Sequence, residues 1–221
     1  MSHIFRSAKS GSDWTSSELN AYHIVVRNQS PKSFYVDPGF LNSDAASENT
    51  SDKTHRLLIF LDLATKANAG QESAIHDFAK ELLHTSRSAQ IDICLRNHAL
   101  IILLVVQQEE IELKAVAAFQ RNNYNRAQIG LEMKDYMSIP AITTGGTRPI
   151  FYIIPVTQEL STAVERGEYP EHLTEVKKYV VGDRRRLGEG MNNPDFRLEA
   201  LKHYSLFLPL ATSLWSEFLV E

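Results

Sequence analysis

Glu81, Asp92, Gln108 and Glu110 carry oxygen ligands in an order suited to metal chemistry. Glu81 falls in a helical pattern and Asp92 in an alternating one. Gln108 and Glu110 follow an unbroken aliphatic run. If that run is a strand and continues, positions 108 and 110 project to the same face. Carboxylate and amide oxygens that converge can hold Mg²⁺, which takes a few carboxylates and keeps water or substrate phosphate. A bound Mg²⁺ would polarise a phosphodiester and activate water, with Asp92 and Glu110 as the expected ligands. Plainer readings stand beside this one. Glu81 can be solvated, or pair with Lys80 or His84. Gln108, Glu109, Glu110 and Glu112 can form a solvated helix N-terminus, where acids favour the dipole.

The elements that must position these residues lie between 72 and 123. Residues 72–86 read as a helix, with Ala74, Ile75, Phe78, Ala79, Leu82 and Leu83 on one arc and Ser73 as N-cap. Residues 89–95 alternate, as in a half-buried strand, and residues 99–106 are continuously aliphatic, as in a strand covered on both faces. Arg96, Asn97 and His98 between them suit a hairpin. Ile111, Val116 and Phe119 then take a helical period.

The rest of the chain follows local rules. Residues 1–12 read as a flexible tail, and residues 13–221 as a single domain. A short helix or turn leads into a strand by Val26. Residues 42–54 are a polar loop, and residues 57–63 are apolar without a decisive period. Residues 139–144 and 149–155 are strand-like around Gly145-Gly146-Thr147, a hairpin signal. Thr157 caps a helix that Gly167 stops. Residues 176–181 look extended. Asn193-Pro194-Asp195 opens a C-terminal helix over 195–220 that Pro209 interrupts, a packing or dimerising element.

Composition narrows the function classes. The chain has 221 residues, a net charge of −4 and one cysteine, Cys94. The charge argues mildly against a dedicated nonspecific nucleic-acid binder, although a local patch overrides such an average. Lys177, Lys178, Arg184, Arg185 and Arg186 form that patch, as a phosphate-contacting strip or as a solvated, salt-bridged surface. The lone cysteine excludes an internal disulfide framework and points to a reducing compartment, cytoplasmic or nuclear. The longest apolar run is too short to span a bilayer. The chain has no GxSxG elbow, no GxxxxGK[ST] loop and no histidine–cysteine spacing for zinc.

The order of helix with acid, strand with Asp, strand ending in polar residues, helix and strand resembles the PD-(D/E)xK nuclease-like core. The wording around it resembles that of a family of uncharacterised fungal proteins with this core. The resemblance covers residues 14–208. It rests on ESAIHDFAKELL at 72–83, AQIDICL at 89–95, IILLVVQQEE at 101–110, AVAAFQRNN at 115–123, residues 139–157 and RRRLGEGM at 184–191. It implies a restriction-endonuclease-like α/β domain, a mixed central sheet flanked by helices, with Glu81, Asp92, Gln108 and Glu110 as its catalytic positions. The relatives end the third strand in Glu-x-Lys, whereas this chain has Gln108 and Glu110. Lys114, one turn into the next helix, is the available replacement amine. The expectation is a degenerate nuclease fold that binds nucleic acid or a protein partner with little or no cleavage. The alternatives are a Mg²⁺-dependent DNA endonuclease and a module that oligomerises through the C-terminal helix.

Overall fold

The computed structural model describes residues 15–35, 93–97, 100–106, 111–145, 147–182 and 190–215. Within them six strands form one mixed sheet, in the order β1-β6-β5-β4-β3-β2. In chain order the elements are α1 (Ser16–Ala21), β1 (Ile24–Asn28), α2 (Pro31–Tyr35), β2 (Ile93–Asn97), β3 (Leu100–Val106), α3 (Ile111–Gln128), β4 (Tyr136–Gly145), β5 (Arg148–Thr157), α4 (Gln158–Arg166), β6 (Thr174–Val180) and α5 (Pro194–Leu214). The expected mixed α/β architecture is present. No helix among the described residues is long and apolar enough to cross a membrane.

Residues 93–106 form two adjoining antiparallel strands, with Ile93 opposite Val105 and Cys94 opposite Leu104. The register shifts between Leu95 and Arg96: Leu95 faces Leu103, but Arg96 faces Ile101. Ile102 is therefore the extra residue of a bulge on β3. Beyond it, α3 carries the chain over the sheet, and β4 returns parallel to β3 from Leu104 opposite Ala141. A helical crossover between parallel strands is the geometry such a pair requires.

The helices cover both faces. One core holds Phe34 and Tyr35 of α2, Leu103, Ile142, Phe151, Tyr179, and Phe196, Ala200, Tyr204, Phe207 and Ala211 of α5. The opposite core holds Leu104, Ala141, Tyr152, Ile154 and Val176 beneath Ile111, Ala115, Val116 and Phe119 of α3. Leu103 and Leu104 serve opposite cores, as the doubly covered reading of 99–106 expects.

Local grammar sets most boundaries. Thr15 and Glu18 form a capping box at α1. The Thr157 hydroxyl accepts from the Leu160 N–H, and Gly167 closes α4 in the left-handed conformation at φ 68°. Asn193 caps α5 by accepting from the N–H groups of Asp195 and Phe196. One reading changes. Pro209 does not interrupt α5, which runs unbroken from Pro194 to Leu214, with Trp215 as C-cap. The residue beside it, Leu208, packs on the core and helps hold the helix through the proline. Residues 122–126, polar in sequence, form the last turns of α3, and Asn122, Asn123 and Arg126 are buried there.

Candidate functional site

The antiparallel register brings the first residue of β2 beside the end of β3, with Ile93 opposite Val105. Asp92 immediately precedes the one strand, and Gln108 and Glu110 follow the other by a few residues. Asp92, Gln108, Glu110 and Glu81 themselves lie outside the described residues. Among the described residues, no group of three or more His, Cys, Asp or Glu side chains gathers as a metal site. Lys114 is described: it sits in the first turn of α3, half-buried, while its neighbour Glu112 is buried rather than solvated.

The basic strip divides. Arg184, Arg185 and Arg186 lie outside the described residues. Lys177 and Lys178 are adjacent on β6 and so project to opposite faces of the sheet. Lys177 is exposed and faces Arg27 across β1. Arg27 Nε donates to the Glu175 carboxylate at 2.8 Å, so part of this surface is an ion pair. Lys178 stands 5.5 Å from the centre of the Tyr152 ring on the other side. A nucleic acid on one face meets one of these two lysines.

Polar order in the interior centres on residues that sequence reasoning does not single out. His203 of α5 is buried and bonded through both ring nitrogens: Nε2 to the Tyr179 hydroxyl at 2.8 Å and Nδ1 to the Tyr35 hydroxyl at 3.2 Å. The Tyr35 hydroxyl donates to the His203 carbonyl at 3.4 Å, which leaves its lone pairs to accept from Nδ1–H. Nε2 then accepts from Tyr179, so a neutral imidazole with the proton on Nδ1 satisfies every group. Burial, with Lys202 adding to it, pulls the His203 pKa down from 6.5 to about 4. Burial likewise pushes the Tyr35, Tyr179 and Tyr204 phenols well above their usual range. The available sequence signal is a histidine at an apolar helix position, flanked by Tyr204 and two turns from Phe196.

Arg148 is a second buried polar anchor. Its Nε and one terminal nitrogen reach the Val181 carbonyl at 3.2 and 2.8 Å, and its guanidinium lies 5.7 Å from the Phe196 ring centre. It ties the start of β5 to the end of β6 and the first turn of α5. Beside this junction, at the carboxyl ends of the parallel pair β1 and β6, a cleft of about 340 Å³ opens, lined among others by Asn28, Gln29, Tyr179, Gly182 and Glu199. No family model, curated protein or solved structure matches the chain.

Proposed function

We propose that this chain is a PD-(D/E)xK-like domain with a degenerate catalytic motif, which binds nucleic acid and cleaves it little or not at all. One observation carries the reading. The β2–β3 hairpin, the crossover helix α3 and the parallel strand β4 succeed one another as the resemblance requires. The positions expected to be acidic flank the open end of that hairpin in the chain. Gln108 and Glu110 in place of Glu-x-Lys remove the amine that would orient an attacking water, and Lys114 is the replacement to test.

Self-association through the C-terminal helix is the weaker reading. Phe196, Ala200, Tyr204, Phe207 and Ala211 of α5 are buried in the domain's own core. Among the described residues of this helix, Leu198 is the large apolar side chain that is exposed, at 61%. A single exposed leucine is ordinary surface.

The experiment measures oligonucleotide affinity over a salt series, with cleavage followed in Mg²⁺ and Mn²⁺. The expected result is binding that weakens steeply with salt, and no metal-dependent cutting. Neutralising Lys177 should flatten the log–log salt slope by about one unit. Absence of binding at low salt would remove the proposal. Cutting that Asp92→Ala abolishes would replace it with a Mg²⁺-dependent DNA endonuclease using Glu81, Asp92, Gln108 and Glu110.

A further inference from the structure

We infer that the cleft at the carboxyl ends of β1 and β6 is a small-molecule site for a planar group rich in N–H donors: an amino-substituted heteroaromatic base or a guanidinium. The cleft opens beyond the carboxyl ends of this parallel pair. β1 ends at Asn28 and β6 at Val180, and the two strands run in register from Ile24 opposite Thr174 to Asn28 opposite Lys178. The volume, about 340 Å³, is that of a pocket for a small organic molecule rather than a bare ion.

The lining chemistry selects the ligand. Glu199 contributes a carboxylate, which only accepts hydrogen bonds. Asn28 contributes an amide that accepts and donates. Neither side chain has a hydrogen-bond or ion-pair partner among the described residues. Gln29 is fixed: its N–H donates to the Lys178 carbonyl at 2.8 Å, and its amide oxygen accepts from the Ser33 hydroxyl at 2.6 Å. Its NH₂ group is thereby left to face a ligand acceptor. Pro31, Val180 and Tyr179 supply apolar surface, and among the described lining residues none is cationic. A group with N–H donors meets a carboxylate and an amide oxygen on one side and apolar surface on the other.

The floor is rigid. The Tyr179 hydroxyl is held by His203, and its ring stacks 6.4 Å from Phe151. Gly182 lies at φ 80°, and a Cβ there would come within 2.9 Å of the Phe196 ring. The wall therefore needs glycine for its backbone as well as for its packing.

This inference is independent of nucleic-acid binding through the basic strip. The test titrates the full chain, isotopically labelled, with cytidine, adenosine, methylguanidinium and, as a probe without an exocyclic amine, uridine. The expected result is saturable shifts of the Gln29 and Gly182 amides and of the His203 ring nitrogens with at least one N–H-rich probe. Glu199→Ala and Asn28→Ala, both at exposed positions, should keep the wild-type melting temperature and weaken that binding about tenfold. Saturation by cytidine or adenosine without methylguanidinium, or by methylguanidinium alone, supports the site and identifies its source of N–H donors. Failure of every probe to saturate below about 10 mM would overturn it, as would uridine binding equally well, or both variants binding as wild type. Oligonucleotide affinity of Glu199→Ala, expected unchanged, separates this site from the strip.

Discussion

Asn122 holds Ile101 by both of its main-chain groups. The Ile101 N–H donates to the Asn122 amide oxygen at 2.7 Å, and the Asn122 NH₂ donates back to the Ile101 carbonyl at 3.0 Å. An asparagine side chain thus imitates a neighbouring strand. Ile101 lies just before the bulge, and the ladder to β4 starts only at Leu104. The next residue repeats the device. Asn123 accepts from the Lys134 N–H and donates to the Lys134 carbonyl, both at 2.9 Å. Consecutive residues of α3 therefore clamp the strand before the helix and the connection after it.

Asn122→Ala leaves two buried main-chain groups unsatisfied. The expected loss is about 2–6 kcal/mol, from roughly 1–3 kcal/mol for each such group. Urea unfolding should show a lower midpoint at an unchanged slope. Asn122→Asp should be no better, because a carboxylate cannot donate to the Ile101 carbonyl. Asn123→Ala, whose partner Lys134 is only half-buried, should cost less.

His203 makes the fold acid-sensitive. Its folded-state pKa, about 4, lies below the ordinary 6.5, so between these values the unfolded chain binds the extra proton. Stability from this group is complete above 6.5 and falls as the pH drops toward 4, by on the order of 3 kcal/mol in all. His203→Gln should flatten the stability–pH curve in that window. A slope there equal to the wild type's would show that the acid sensitivity arises elsewhere.

Glu159 fastens the connection before β6. One of its oxygens accepts from the Glu171 N–H at 2.6 Å and the His172 N–H at 3.2 Å; the other pairs with His172 Nδ1 at 2.6 Å. The hydrogen bond with the His172 side chain leads in holding its carboxyl below the usual range. A depressed carboxyl stabilises the fold above its unfolded value of about 4.5, and the contribution is lost as pH falls through the folded value. Glu159→Gln should speed amide exchange at Glu171 and His172. It should also speed chymotryptic cleavage after the exposed Leu173, while global stability changes little.

Gly182→Ala meets two penalties at once, a left-handed backbone and the Phe196 ring. A loss of roughly 1–3 kcal/mol is expected, read as a lower thermal midpoint. Gly130, at φ 78° with open space around its Cβ position, is the control: its alanine variant should show the backbone part alone.

Legibility in the sequence follows the range of the interaction. The β4–β5 hairpin, the Thr157 and Gly167 boundaries and the Asn193-Pro194 start are legible, because neighbours in sequence decide them. The Asn122–Arg126 run is not. Its polarity suggests solvent, and only the arrival of residues 101, 132 and 134 shows what those side chains bond. Pro209 misleads because tertiary packing outweighs its helix-breaking tendency. For the candidate site, order along the chain is legible and convergence is not. The hairpin register is found, while Lys177 and Lys178 part to opposite faces because a strand alternates. The Tyr35–His203–Tyr179 group joins segments 168 residues apart, a pairing no local pattern announces.

The sheet pairs its first strand with its last: Arg27 of β1 reaches Glu175 of β6 across 148 residues. During synthesis, residues 24–28 leave the ribosome long before 174–180 exist. This edge must therefore wait for nearly the whole polypeptide to be translated, with a loop-closure cost that grows slowly with length. Truncation anywhere before Thr174 should leave β1 without its neighbour and its backbone donors open to other chains, so incomplete products of this protein are expected to aggregate or be degraded rather than persist as shorter domains.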